Sequence, residues 1–234
     1  MNAKADGLPA WLLDTLTQLP QDTPVALLLR HAQREALPEH DAGHMTPITP
    51  TGARLAQALG AHLGPRLQAL HSSPVLRCRQ TAEQIHSGAG QPAIPISCHR
   101  FLGDPGIYVE NPEHAWQHWQ TLGNQGVMTH LANASHALPG MAHPETASLA
   151  LLDYLLASAS HGHGLHLFIS HDVLLSACTA RLLGVPYPAS PWPDYLEGMF
   201  CWSNTEGRQL RYRHYQAVIP AASFMPPPDC RSTS

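Results

Sequence analysis

Residues 25–30 (VALLLR) form a continuous apolar run, too short for a helix and followed by polar positions, which predicts a buried strand of the parallel type ending at Arg30. Over residues 51–63, Leu55, Leu59 and Leu63 recur at helical spacing, the stripe of an amphipathic helix lying on a sheet. A short strand is expected over 70–73 and a helix over 77–86, entered just after Pro74. Residues 92–98 (PAIPISC) suit a strand near a sheet edge, because Pro95 interrupts them.

From residue 99 to 144 the chain is rich in Gly, Pro, Asn and His, with Tyr108, Trp116 and Trp119 among them. So long a stretch is expected to cover a functional site, and we read it as a lid holding one helix over 113–122. Residues 145–157 are apolar nearly all round, as in a buried helix; 165–170 (LHLFIS) repeat the pattern of the first strand, and 172–183 form the helix after it. GMFCW and LRYRHY flank SNTEGRQ, which predicts a β-hairpin with a loop longer than the tightest types. Strands alternating with helices imply an α/β protein, a three-layer α/β/α sandwich around a mainly parallel sheet, with its ligand beyond the C-terminal ends of the strands.

Of the 234 residues, 44% are hydrophobic and 13% charged, which excludes disorder over most of the length and suits one domain. That domain is expected over 1–221, with 222–234 as a fraying tail where Pro226 to Pro228 stand in a row. A formal charge of −4 offers no general attraction to nucleic acid or an anionic membrane, so an anion site must be built locally. Protonating all 17 histidines would carry that charge from −4 to +13, which predicts pH-sensitive solubility. The five cysteines, Cys78, Cys98, Cys178, Cys201 and Cys230, form no C-x-x-C pair and are odd in number, arguing against a zinc ribbon or a disulfide framework and for a reducing compartment. With no secretory-type leader and no membrane-length apolar run, the expected location is the cytoplasm.

Three patterns fall at element boundaries: Arg30-His31-Ala32-Gln33-Arg34, Ser72-Ser73-Pro74-Val75-Leu76-Arg77-Cys78-Arg79-Gln80-Thr81-Ala82, and Ser170-His171-Asp172. A phosphomonoester carries close to two negative charges, which planar guanidinium groups hold bidentately; Arg30, Arg34 and Arg77 are the candidates. Positive surroundings also disfavour an imidazolium and leave His31 a free lone pair for attack on phosphorus. Arg79, two residues from Arg77, points elsewhere on the helix and reads as a solvated charge, while Ser73 reads as a helix cap that also assists phosphate.

In this order the three patterns resemble the histidine phosphatase superfamily, with its phosphoglycerate mutase-like fold. The R-H-x-x-R opening, the Met45-Thr46 to Gly52 segment and the closing His-Asp pair resemble its acid phosphatase branch more than its mutase branch. The resemblance implies hydrolysis of a small phosphorylated substrate through a phosphohistidine on His31, with no metal ion or other cofactor. His171 would donate a hydrogen bond to the transferring group, and Asp172 would protonate the leaving oxygen. Asp172 also suits a helix N-cap, and Glu145 and Asp104 (in GDPG) are rival proton donors. Ala32 stands where relatives usually have glycine, a departure that would strain His31 if the position required positive φ. Trp116, Trp119 and Tyr108 suit either stacking on substrate or packing of the lid.

Three further readings remain at the level of sequence. One is a mutase returning the phosphoryl group to another hydroxyl. The second is a metal-binding protein using His161, His163 and His166, or His40 and His44. The third is a silent relative that binds phosphorylated ligands without turnover.

Overall fold

The computed structural model describes residues 4–5, 7–38, 43–160 and 162–220. Along the chain lie β1 (Lys4–Ala5), β2 (Leu8–Pro9), α1 (Ala10–Gln18), β3 (Pro24–Arg30), α2 (Pro50–Leu63), β4 (Leu67–Ser72), α3 (Leu76–Ala89), β5 (Ile96–Cys98), α4 (Pro112–Asn133), α5 (Pro144–Ala159), β6 (Gly164–Ser170), α6 (Asp172–Leu183), β7 (Gly198–Asn204), β8 (Gly207–Tyr212) and β9 (Tyr215–Ile219). One seven-stranded sheet runs in the order β5-β4-β6-β3-β7-β8-β9. Its first four strands are parallel to one another, and β7, β8 and β9 continue it as an antiparallel meander.

The apolar runs become central strands because both faces of the sheet are covered. Along β3, Val25, Leu27 and Leu29 pack with α1, α2 and α3, while Ala26 and Leu28 pack with α4, α5 and α6 on the opposite face. On β6, Leu165, Leu167 and Ile169 join the first cluster and Phe168 the second. Three layers result, two of helix around one of sheet, as expected. Among the described residues, no helix is long and apolar enough to cross a membrane.

Several boundaries differ from the sequence reading. The lid helix, expected over 113–122, continues as α4 to Asn133, across a kink where Gly123 takes φ 65° and ψ 177°. Gly123, Asn124 and Gly126 mask the second half in the sequence, yet Val127, Met128, Leu131 and Ala132 bury a helical stripe there. Arg181 of α6 donates to the carbonyls of His130, Leu131 and Ala134 and so anchors that end. The β7–β8 connection is tighter than expected: Asn204 pairs with Gly207, and the Asn204 Oδ1 accepts from the amides of Glu206 and Gly207. Because Pro95 precedes it, β5 shrinks to an edge strand over Ile96–Cys98. The expected tail over 222–234 lies outside the described residues.

Helices α2 and α3 meet backbone to backbone. A Cβ at Gly88 would lie 1.9 Å from the Gln57 carbonyl oxygen, and one at Gly60 would lie 2.1 Å from that of Ile85. Gly88→Ala must push α3 away from α2, so we expect a loss of about 1–3 kcal/mol in urea denaturation, the usual range for overpacking. An unchanged midpoint would contradict this packing.

Candidate active site

Parallel pairing sets the site. Arg30 at the end of β3 is level with Ser170 at the end of β6, and the His31 amide donates to the Ser170 carbonyl at 2.9 Å. His31 and His171 therefore leave neighbouring strands side by side, with ring centroids 5.7 Å apart. On the other side of β6, β4 ends at Ser72 opposite Ile169, and the chain turns through Ser73-Pro74-Val75 into α3, whose first turn carries Arg77. These three strand ends face one cleft of about 1040 Å³, also lined by Arg34, Asp104, Asp172 and residues of α4.

Arg77 organises the imidazoles. Its Nε–H donates to His31 Nε2 at 3.1 Å, one terminal nitrogen donates to the Gly43 carbonyl at 2.7 Å, and the other to His171 Nδ1 at 3.1 Å. A guanidinium only donates, so both ring nitrogens must present lone pairs to it. His31 Nδ1 sits 2.8 Å from the Ala32 carbonyl, which only accepts, so the proton is on Nδ1 and the lone pair on Nε2. By the same logic His171 carries its proton on Nε2, where it donates to Ser73 Oγ at 3.2 Å. Burial above all, with His171, Arg77 and Arg30 adding to it, holds His31 well below the ordinary histidine value against the opposing pull of the Ala32 carbonyl. Burial and then Arg77 bring His171 down to about 3. Beside them Cys78 is buried, and that burial pushes its thiol up to about 12.

Asp172 and Arg30 have different surroundings from those the sequence suggested. Asp172 Oδ2 accepts from Arg30 at 2.8 Å and from Trp192 Nε1 at 3.1 Å, and Oδ1 accepts from the Val173 amide at 2.9 Å. Burial alone would raise its pKa, but Arg30, Trp192 and His171 outweigh burial and keep it below the ordinary carboxylate value. These partners favour the ionised carboxylate of Asp172. Arg30 also donates to the Pro193 carbonyl and stacks 4.0 Å above the Tyr195 ring, which ties it to Asp172 and to the loop before β7. Arg34 does line the cleft.

Of the rival acids, Glu145 is exposed at the start of α5 and away from the cleft lining, whereas Asp104 lines the cleft with Oδ1 3.1 Å from His44 Nε2. Ala32 is buried with its amide donating to Thr81 Oγ1 at 3.0 Å, and it is not among the positive-φ residues, so alanine brings no backbone strain there. Ser73 does not cap α3, whose first residue is Leu76; its hydroxyl serves His171 and the Val75 amide. Arg79 is exposed, as expected.

Trp116, Trp119 and Tyr108 all line the cleft, Tyr108 being otherwise buried with its hydroxyl 2.7 Å from Ser148. His40 and His161 lie outside the described residues, His166 is buried beside the Gly162 carbonyl, and His44 faces Asp104. Among the described residues, no three His, Cys, Asp or Glu side chains are grouped to hold a metal.

The family model for the histidine phosphatase superfamily (branch 1) matches residues 26–102, a segment that includes most of β3, His31, Arg34 and Arg77 and stops short of Asp104. Over these residues the sequence matches the histidine phosphatase superfamily. The match is to branch 1 and lends no support to the acid phosphatase placement. No curated protein sequence matches the chain significantly.

Among solved structures, the chain is similar to a mycobacterial glucosyl-3-phosphoglycerate phosphatase (TM-score 0.52, 21% identity, 84% of this chain and 100% of that one). It is also similar to a phosphoglycerate mutase from Bacillus anthracis (0.52, 16%, 86% and 94%) and a putative alpha-ribazole-5'-P phosphatase from Escherichia coli (0.52, 20%, 81% and 96%). These likenesses establish the phosphoglycerate mutase-like fold.

Three contributors to this site gave little sign in the sequence. A Cβ at Gly103, where φ is 145°, would lie 2.4 Å from His171 Nε2, so glycine there leaves room for the ring. Tyr195 lies between Arg30 and His31, with its ring 5.7 Å from the imidazole. Glu197 is buried and accepts from Trp11 and Tyr212 at 3.0 Å each, from the Asp194 amide at 3.0 Å, and from Arg213. Arg213 in turn donates to the carbonyls of Pro191 and Trp192. Together they hold the loop whose Pro193, Trp192 and Tyr195 grip Arg30 and Asp172. The only signal for Glu197 was an acid set directly before an apolar strand.

Two expectations follow. In nitrogen NMR, His31 should remain the neutral Nδ1–H tautomer at and below pH 6.5, its ordinary midpoint; an imidazolium at that pH would refute the assignment. Below pH 6.5 the unfolded chain takes up protons that the folded His31 and His171 refuse. Their contribution to stability is therefore complete above pH 6.5 and declines as pH falls toward the folded values, near 3 for His171. Separately, Glu197→Gln leaves Arg213 without its counter-charge and should cost about 3 kcal/mol in chemical denaturation; a neutral effect would show that the loop is held by other contacts.

Proposed function

We propose that the chain is a metal-independent phosphatase that hydrolyses phosphomonoesters through a phosphohistidine on Nε2 of His31. The observation that carries this reading is the pair of hydrogen bonds, Nδ1–H to the Ala32 carbonyl and Arg77 Nε–H to Nε2, which together leave a buried neutral imidazole with its lone pair on the cleft side. Arg77 and Arg34 bring permanent positive charge to the phosphoryl oxygens, and His171 adds the proton on its Nε2. As phosphorus closes on Nε2, the Arg77 Nε–H shifts from nitrogen to a phosphoryl oxygen.

In the first step the His31 Nε2–P bond forms, the P–O bond to the alcohol breaks, and the leaving oxygen takes a proton. We assign that proton to Asp104 and its partner His44 rather than to Asp172, whose carboxylate is engaged by Arg30 and Trp192. In the second step water attacks phosphorus, Asp104 takes a proton from the water, the P–N bond breaks and inorganic phosphate leaves. The nucleophile, the charge clamp and the proton carrier all come from side chains of this chain, so no step calls for a metal ion.

The test is an acid-labile phosphoenzyme in the wild type that is lost in His31→Ala, with turnover persisting in excess EDTA. Asp104→Asn should slow an alkyl phosphate roughly 100-fold or more while affecting p-nitrophenyl phosphate, whose departing oxygen needs little protonation, far less. If Asp172→Asn shows that leaving-group dependence instead, the donor is Asp172. If His31→Ala still forms the phosphoenzyme, the reading fails.

A further inference from the structure

The cleft is much larger than a phosphate group, and its character changes along its length. Near His31 it is cationic, with Arg34 and Arg77 as the only lysine or arginine side chains among its lining residues. The far wall comes from α4, and the loop before β7 joins it to the catalytic end, where Trp192 bonds Asp172. It presents Trp116, Trp119, Tyr187 and Trp192, and Gln120 and Asn124 also line it. Helix α4 holds no lysine or arginine at all.

Apolar surface that most proteins would bury is concentrated at this wall. Trp116 is 41% exposed and Trp192 39%, two of the six large exposed apolar side chains among the described residues, and Leu37, 40% exposed, lines the cleft from the segment after β3. Trp192 is held there by its Nε1–H bond to Asp172 and by edge contact with Tyr187, so the ring surface is set before any ligand arrives.

We propose that the substrate of this site is a monoester whose alcohol is a bulky, uncharged body carrying a planar ring, stacked on Trp116 with Trp192 flanking it. The inference rests on the phosphatase reading for the phosphate end and extends it to the rest of the molecule. A small phosphorylated acid has a second anionic group, and the far wall has no cation to meet it; a flat ring gains apolar burial and stacking there. The amides of Gln120 and Asn124 suit a ring with hydrogen-bonding atoms at its rim.

Two alkyl phosphates with similar leaving groups, 2-naphthylmethyl phosphate and ethyl phosphate, separate the ring from the chemistry, and 3-phosphoglycerate supplies the small acid. We expect kcat/KM for the naphthyl ester to exceed that for the ethyl ester by roughly 10-fold or more, the scale set by burying and stacking one ring. That ratio should fall several-fold in Trp116→Ala and be largely kept in Trp116→Phe. Calorimetry with naphthylmethylphosphonate and ethylphosphonate, which need no turnover, should show the same preference.

Turnover without discrimination between the esters, or preference for 3-phosphoglycerate, overturns the ring-bearing substrate and leaves the phosphatase reading standing. Phosphonate preference that depends on Trp116, with no ester hydrolysed and no phosphoenzyme formed, supports the ring site and overturns the phosphatase reading. Equal phosphonate affinities overturn the ring site directly.

Discussion

One hydrogen bond, from Arg77 Nε to His31 Nε2, gives the rest of the site its meaning. A guanidinium cannot accept a proton, so the bond forces a lone pair onto that nitrogen, and the Ala32 carbonyl behind the ring forces the proton onto the other. The same guanidinium treats His171 in the opposite sense, meeting its Nδ1 and leaving the proton on Nε2, which donates to Ser73 Oγ. One side chain thereby makes one histidine an electron-pair donor and the other a proton donor, and burial keeps both neutral.

Around this centre a second set of charges acts on geometry. Arg30 ends β3 at the site, and its two terminal nitrogens meet Asp172 and the Pro193 carbonyl, while Tyr195 lies beneath it. The loop before β7 supplies these partners and is held from behind by buried Glu197 and Arg213. The chemistry at the ends of β3 and β6 thus depends on the antiparallel half of the sheet.

The lid supplies the remaining wall. Its helix bends at Gly123, so its first half faces the cleft with Trp116 and Trp119 while its second half packs into the core through Val127, Met128 and Leu131. The seating of the second half on α6, secured by Arg181, gives the aromatic surface a fixed base.

Much of the fold was legible in the sequence because its signals are local. Apolar runs of strand length gave β3 and β6, and the full range of α6 followed from its position after the second run. Breaks by Gly and Pro were also visible, but not whether a chain crosses them, which is why α4 was cut short and the β7–β8 turn drawn too long. His31, His171, Arg34 and Arg77 were legible as a set, since each sits beside a strand end and parallel strands end together. The sequence by itself determined which residue types crowd one end of the sheet. Only the tertiary structure decided which nitrogen holds which proton, that Arg30 engages Asp172, and that Asp104 faces the cleft, because each depends on partners brought from distant segments to within hydrogen-bond distance.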